Sequence, residues 1–327
     1  MKRLAVALVC ALICLFALQW PEADAAVLVV DNSLDPNDCQ GGTTPYATVQ
    51  SAVDAAFAND IIAVCPGTYV EQVTVETTVG HNLEGLTIEA ADEWSPPTIQ
   101  APAGMVGPKA VIYIRSAAGV VIQDLVISGP GGGDCDSIRY GIFVGGTQSA
   151  IGSANIYDNQ INSIRDSVPG SALSGCQNGI GVGVGRAADS EVGRVDQMIG
   201  NSISDYQKGG ILVDGVGSSA AIFDNVVTGA GKTTIIGQNG IQVSNGAIAA
   251  IQDNTVTANF YDNGKKKPSC LEPQPSGRIA NSAAEACVVT ATGILKYETE
   301  ETDPSIAGDL QSQNTLRHNQ INVVVIK

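Results

Sequence analysis

Two strand-sized phrases alternate along this chain, and they restrict its folding more than any other feature. One carries Asn at a fixed place: "IYDNQINSI" from 156, "MIGNSISDY" from 198, "IFDNVVTGA" from 222, "IQDNTVTAN" from 251 and "LRHNQINVV" from 316. The other carries Gly: "YGIFV" from 140, "NGIGV" from 178, "GGILV" from 209, "NGIQV" from 239 and "TGILK" from 292. Gly141, Gly179, Gly210 and Gly240 recur at intervals of 38, 31 and 30 residues, and Asn159, Asn201, Asn225 and Asn254 at 42, 24 and 29. Periods of that length belong to solenoids, whose repeats bury their apolar faces only against their neighbours.

The repeated units are strands, because apolar residues alternate over a few positions, as in Ile142/Val144, Ile211/Val213 and Ile241/Val243, with Gly or Asn at the ends. The fold class is therefore an all-β solenoid of stacked coils, each about 4.8 Å from the last. Equivalent residues then form columns. Asn159, Asn201, Asn225, Asn254 and Asn319 are read as one structural ladder, each Asn taking a left-handed turn conformation and bonding its stacked neighbour.

Upstream, Val49, Ala52, Val53, Ala56 and Phe57 keep helical spacing on one face, with Thr48 placed to cap the first turn. The spacing predicts a helix over 49–58, followed at once by the strand "DIIAVCPGTY". Such a helix would close the open apolar end of the first coils. At the other end "INVVVIK" reads as a last strand with no cap after it, so self-association through the carboxyl-terminal end is expected.

The stretch "TVQSAVDAAFANDIIAVCPGTYVEQVTV", "GLTIEA" from 85 and the later Gly and Asn phrases resemble the right-handed parallel β-helix proteins of the pectin-lyase-like superfamily. The resemblance spans nearly all of the chain after its first 25 residues and implies a right-handed parallel β-helix. It leaves activity open, since that scaffold carries lyases, hydrolases, esterases, epimerases, adhesins and proteins with no known reaction.

Lys2 and Arg3 precede an apolar run from Leu4 to Leu18, and "ADA" at 23–25 supplies small residues for cleavage. Residues 1–25 are read as a signal peptide, and no later segment is apolar for long enough to span a membrane. The expected protein is secreted, extracellular, periplasmic or cell-surface. Residues 26–327 are expected to form a single domain, with the cap and first coils over 26–110 and the repeat coils with their loop insertions over 111–327. Six cysteines remain in an exported chain, and neighbour pairing is expected: Cys39 with Cys65, Cys135 with Cys176, Cys270 with Cys287. The rival, a zinc site, lacks CxxC spacing and has only His81 and His318 to draw on. A formal charge of −16 argues against sequence-independent attraction to nucleic acid or to an anionic membrane, which needs a basic surface.

Insertions cluster between an Asn phrase and the next Gly phrase: "SIRDSVPGSALSGCQ", "SDYQK", "GAGKTTIIGQ" and the stretch from Tyr261 to Thr292. Long insertions at one corner mark the working face of a solenoid. Taking the residue two before each Gly gives a polar column of Arg139, Gln177, Lys208 and Gln238. With Asn178 and Asn239 it is expected to hold a polysaccharide or a cell-envelope glycan. Asp134, Asp136, Asp166 and Asp205 lie upstream as candidate Ca²⁺ ligands. The alternative is a Ca²⁺-assisted uronate lyase in which Lys208 or Arg139 serves as base or as enolate-stabilising cation. A rigid surface spacer is the third reading.

Three motifs are rejected. "GAGKTT" has Val226 where a phosphate loop needs its first Gly, and "GIGVGVGR" has Val184 where a dinucleotide fingerprint needs its last. "GKKKPSC" from 264 reads as a solvated loop tip. The NTD, DD, HG, QDT, DFIFG and DPHD motifs of hydrolases, methylesterases and epimerases with the resembled fold are missing.

Overall fold

The computed structural model describes residues 25–33, 39, 45–168, 170–262, 279–280, 291–299 and 305–326. The signal-peptide reading, Cys270 with Cys287 and the "GKKKPSC" tip lie outside these residues. The chain winds through three wholly parallel sheets in turn. Sheet 1 begins with Val27–Val30 and ends with Ile248–Gln252; sheet 2 runs from Thr68–Val70 to Thr315–Arg317. Sheet 3 runs from Val73–Glu76 through Tyr140–Gly145, Ile180–Val184, Gly209–Asp214 and Asn239–Ser244 to Thr292–Tyr297, Ile321–Ile326 and, outermost, Ile279–Ala280. This is a parallel β-solenoid, as the two-phrase repeat requires.

Alternation places one face of every strand inside. Ile112, Ile142, Val182, Ile211, Ile241 and Ile294 stack in register on sheet 3, with Ile114, Val144, Val184, Val213 and Val243 two residues on. All of them are fully buried. Each such side chain contributes roughly 1.5–3 kcal/mol relative to exposure. The second column continues from Val243 to Lys296 and Val325, so a lysine that is 3 % exposed stands among aliphatics in the last coils.

The Gly phrase has a steric cause. A Cβ on Gly141, Gly181, Gly210, Gly240 or Gly293 would come within 2.7 Å of the carbonyl oxygen of the next coil. The stacked glycine in "NGIGV" is therefore Gly181, and the alignment on Gly179 is corrected by two residues.

The Asn ladder is built from side chains. The Oδ1 atoms of Asn201, Asn225, Asn254 and Asn314 each accept the backbone N–H and the Nδ2 of the ladder Asn on the coil before, at 2.9–3.0 Å. The left-handed residue is the one before the Asn: Asp158, Gly200, Asp224 and Asp253 have φ between 52° and 73°. Asn319 is not on this ladder. Thr315, Leu316 and Arg317 pair with Thr255, Val256 and Thr257, so "QNTLRHN" repeats "DNTVTAN", and Asn319 bonds Asn259 in a second, shorter column.

Helix α1, Val49–Ala55, starts where Thr48 predicts, and Thr48 and Ser51 form a reciprocal capping box. Glu71 accepts the next free donors, Val49 N and Gln50 N, at 2.9 Å each. Gln50 bonds both the N–H and the C=O of Thr74 on the outer edge strand of sheet 3, as a neighbouring strand would. The helix ends before 58: Ala56 is extended, and Phe57, placed on the buried face by its spacing, is 66 % exposed. At the other end, α2, Ser305–Gln313, packs against Ile248–Gln252, Thr315–Arg317 and Ile321–Ile326, with Leu310 buried. The carboxyl-terminal end read as uncovered thus carries a helix, and Ile279–Ala280 pairs in parallel with the last strand, Ile321–Ile326.

Candidate functional site

The polar strip is broken by register at one position, Gln177, and elsewhere its members are buried or already bonded. The residues stacked just before the sheet 3 strands are Lys109, Arg139, Gly179, Lys208, Gln238 and Ala291. Gly179 takes the place assigned to Gln177, which is exposed and folds back onto the carbonyl of Gly175; Asn178 sits beside it, half-buried. Gln238 is 1 % exposed and holds the neighbouring loop, accepting Ala230 N and donating to Tyr206 O. Asn239 is also buried, against Gln242. Arg139 is spent on Asp136, which Lys109 also contacts. The Arg139 hydrogen bond, then that from Lys109, holds the Asp136 carboxyl below the usual carboxylate range despite partial burial. Lys208 donates to Gly237 O at 2.8 Å, and burial lowers its ammonium pKa.

The four aspartates do not converge either. Asp134 is exposed, Asp136 is paired with cations, Asp166 is buried against Ser174, and Asp205 pairs with Arg165. Among the described residues the only metal-capable trio is Cys135, Asp166 and Cys176, and its two sulfurs are joined in a disulfide. A four-aspartate Ca²⁺ site is therefore not what this geometry offers. Cys39 and Cys65 are also joined, so both of the neighbour pairings within the described residues are formed.

What the inserted corner does build is a cleft of about 470 Å³ between residues 170–173 and 230–235. Its floor is the Arg165–Asp205 pair, 2.5 Å apart, with the Arg165 side chain 4 % exposed. Arg165 also bonds Ser167 Oγ and Ser171 O, and Asp205 accepts from Ser163 Oγ. The planar fork of Arg is thus locked by the loop it organises. Leu173 and Ile235 supply apolar walls; Ser171, Thr233 and Thr234 supply hydroxyl residues; Lys232, 65 % exposed, reaches Asp262 at 2.6 Å. Arg165 stands in the quoted insertion "SIRDS", but its partner is forty residues away. The available signal was the matched position of Ser163 and Asp205, both left-handed and each following a sheet 2 strand.

A second cluster lies on the outer face of sheet 3. The rings of Tyr113 and Tyr140 stack on Phe143 with centroids 5.4 and 4.4 Å away. Burial pushes the Tyr140 hydroxyl up to about 12. Tyr113 donates to Glu191 at 3.0 Å, and burial raises the Glu191 carboxyl against that bond. These rings are nearly covered, so they are no platform for a sugar.

No protein-family model, curated protein or solved structure matches the chain. The parallel β-solenoid is therefore the class of protein established, and the resemblance to pectin-lyase-like proteins rests on the quoted phrases.

Proposed function

We propose that this chain is an exported parallel β-helix of one domain that binds carbohydrate in the cleft between its inserted loops. The observation that carries this reading is the cleft: a locked charged floor, hydroxyl residues and two aliphatic walls suit a ligand of many hydroxyls with apolar C–H faces. The two disulfides support an oxidising destination. Right-handed winding follows from the strong preference of parallel crossovers, and α1, with Gln50 on the edge strand, serves as the amino-terminal cap.

The test is binding of the mature protein to a panel of neutral and uronic-acid polysaccharides and envelope glycans. Exchanging the exposed Lys232 and Ile235 together for Ala is expected to weaken the best ligand at least tenfold, about 1.4 kcal/mol. Unchanged affinity would remove the cleft as the site. Uronate lysis is the second reading, favoured by Lys208 alone: burial moves its pKa toward that of a working base. It requires an ultraviolet signal from unsaturated sugar that Lys208→Ala abolishes. No binding and no signal on any substrate would leave the rigid spacer.

A further inference from the structure

Three neighbouring coils each bury a side-chain oxygen that has no hydrogen-bond partner among the described residues: Ser137 Oγ, Asp166 Oδ1 and Gln207 Oε1. These residues precede Tyr140–Gly145, Ile180–Val184 and Gly209–Asp214, which are adjacent strands of sheet 3. Asp166 is 5 % exposed and Gln207 1 %. Both meet on one hydroxyl: Ser174 Oγ donates to Asp166 Oδ2 at 2.6 Å and accepts from Gln207 Nε2 at 3.0 Å and from Cys176 N at 3.1 Å. That hydroxyl is saturated. Gln207 Nε2 also donates to the carbonyls of Ser174 and Cys176, which fixes the amide and leaves Oε1 as the free end.

Among the described residues the charge on Asp166 has no counterpart. The adjacent cation, Arg165, turns away to Asp205, Ser167 and Ser171. No ion pair among the described residues includes Asp166. Its carboxylate lies with the two sulfurs of the Cys135–Cys176 disulfide, all three ligand atoms within 4.8 Å of one another, and a disulfide supplies neither charge nor a donor. A buried carboxylate with one neutral hydrogen bond is costly unless something else compensates it.

We propose that this layer is a Ca²⁺ site, with Asp166 as the charged ligand and Gln207 Oε1, from the next coil, as a neutral oxygen. A hard cation takes such ligands, and one carboxylate suits the weak affinity of extracellular modules, about 10⁻⁴–10⁻³ M. The ion ties the loop that carries Ser171 and Leu173 to the next coil, and so braces one wall of the cleft. The site goes beyond the carbohydrate reading and stands without it.

The experiment is calorimetric titration of Ca²⁺ into the chelator-treated mature protein with disulfides intact, alongside thermal melts with and without the ion. One site in that affinity range and a Ca²⁺-dependent rise in Tm are expected. Asp166→Asn should weaken binding at least tenfold, whereas the exposed Asp134→Asn should leave it unchanged. No heat and no Tm response in the parent protein would overturn the proposal, as would an undiminished response in Asp166→Asn. If Asp166→Asn does not fold, Gln207→Glu decides: a second carboxylate in the site should tighten Ca²⁺ at least threefold, and failure to tighten counts against it. No readout involves a glycan, so the outcome is separate from that of the cleft.

Discussion

The side-chain oxygen of Asn254 accepts two hydrogen bonds from Asn225, one from its backbone N–H and one from its Nδ2, both at 3.0 Å. Asn225 does the same for Asn201, at 3.0 and 2.9 Å. Replacing Asn225 by Ala would strand the buried backbone N–H of Asn201, leave its Nδ2 with only the carbonyls of Ile156 and Ile199, and take a donor from the carbonyls of Met198 and Phe223. The expected loss is roughly 2–5 kcal/mol, read as a lower urea midpoint. An unchanged midpoint would show that the ladder is ornamental.

Gly210 faces the carbonyl of Gly240 and the side chain of Val227, which an added Cβ would meet at 2.6 and 2.3 Å. Backbone on the next coil cannot yield without disturbing the stack. Gly210→Ala is therefore expected to destabilise by about 1–3 kcal/mol, whereas Gly104→Ala, which would meet nothing within 4 Å, should be near neutral. Equal melting temperatures for the two variants would contradict the steric account.

Burial raises the Glu191 carboxyl, with the Tyr113 hydrogen bond opposing. A carboxyl whose folded pKa is raised binds its proton more tightly when folded, so its stabilising effect is full below the unfolded pKa and is lost as pH rises through the folded value. Glu191→Gln should remove that fall. Urea midpoints of parent and variant should converge in acid and separate, with the variant ahead, as pH passes above the ordinary carboxylate range. A constant difference across pH would assign the effect to something other than this proton.

Asp205 is the sole carboxylate on the buried Arg165 guanidinium among the described residues. Asp205→Asn leaves that cation without its charge partner. A loss of at most about 3 kcal/mol is expected, because Asp205 itself still meets solvent, together with loss of any glycan binding in the cleft. Retained affinity would separate the floor of the cleft from its function.

Much of the architecture was legible because it rests on local patterns. Ile142/Val144 and Ile241/Val243 alternate in the sequence as they do in the core, and Thr48 announced the start of α1. Phe57 misled because helical spacing continues past the point where Ala56 turns extended. The candidate strip failed at "NGIGV", where either Gly179 or Gly181 satisfies the phrase and only contact with Gly210 on the next coil decides between them. Asn319 failed in the same way, since "LRHN" and "SQNT" both resemble the Asn phrase until Leu316 is paired with Val256.

By itself, the sequence determined that this chain stacks strands into an all-β solenoid, because strand period and repeat length are properties of neighbours along the chain. The tertiary structure decided which polar residues are already spent, such as Lys208 on Gly237 and Gln238 on Tyr206, and which meet across coils, such as Arg165 and Asp205. The reason is physical. Coils of unequal length come into register through their backbones, and a loop side chain finds its partner only after that register is set.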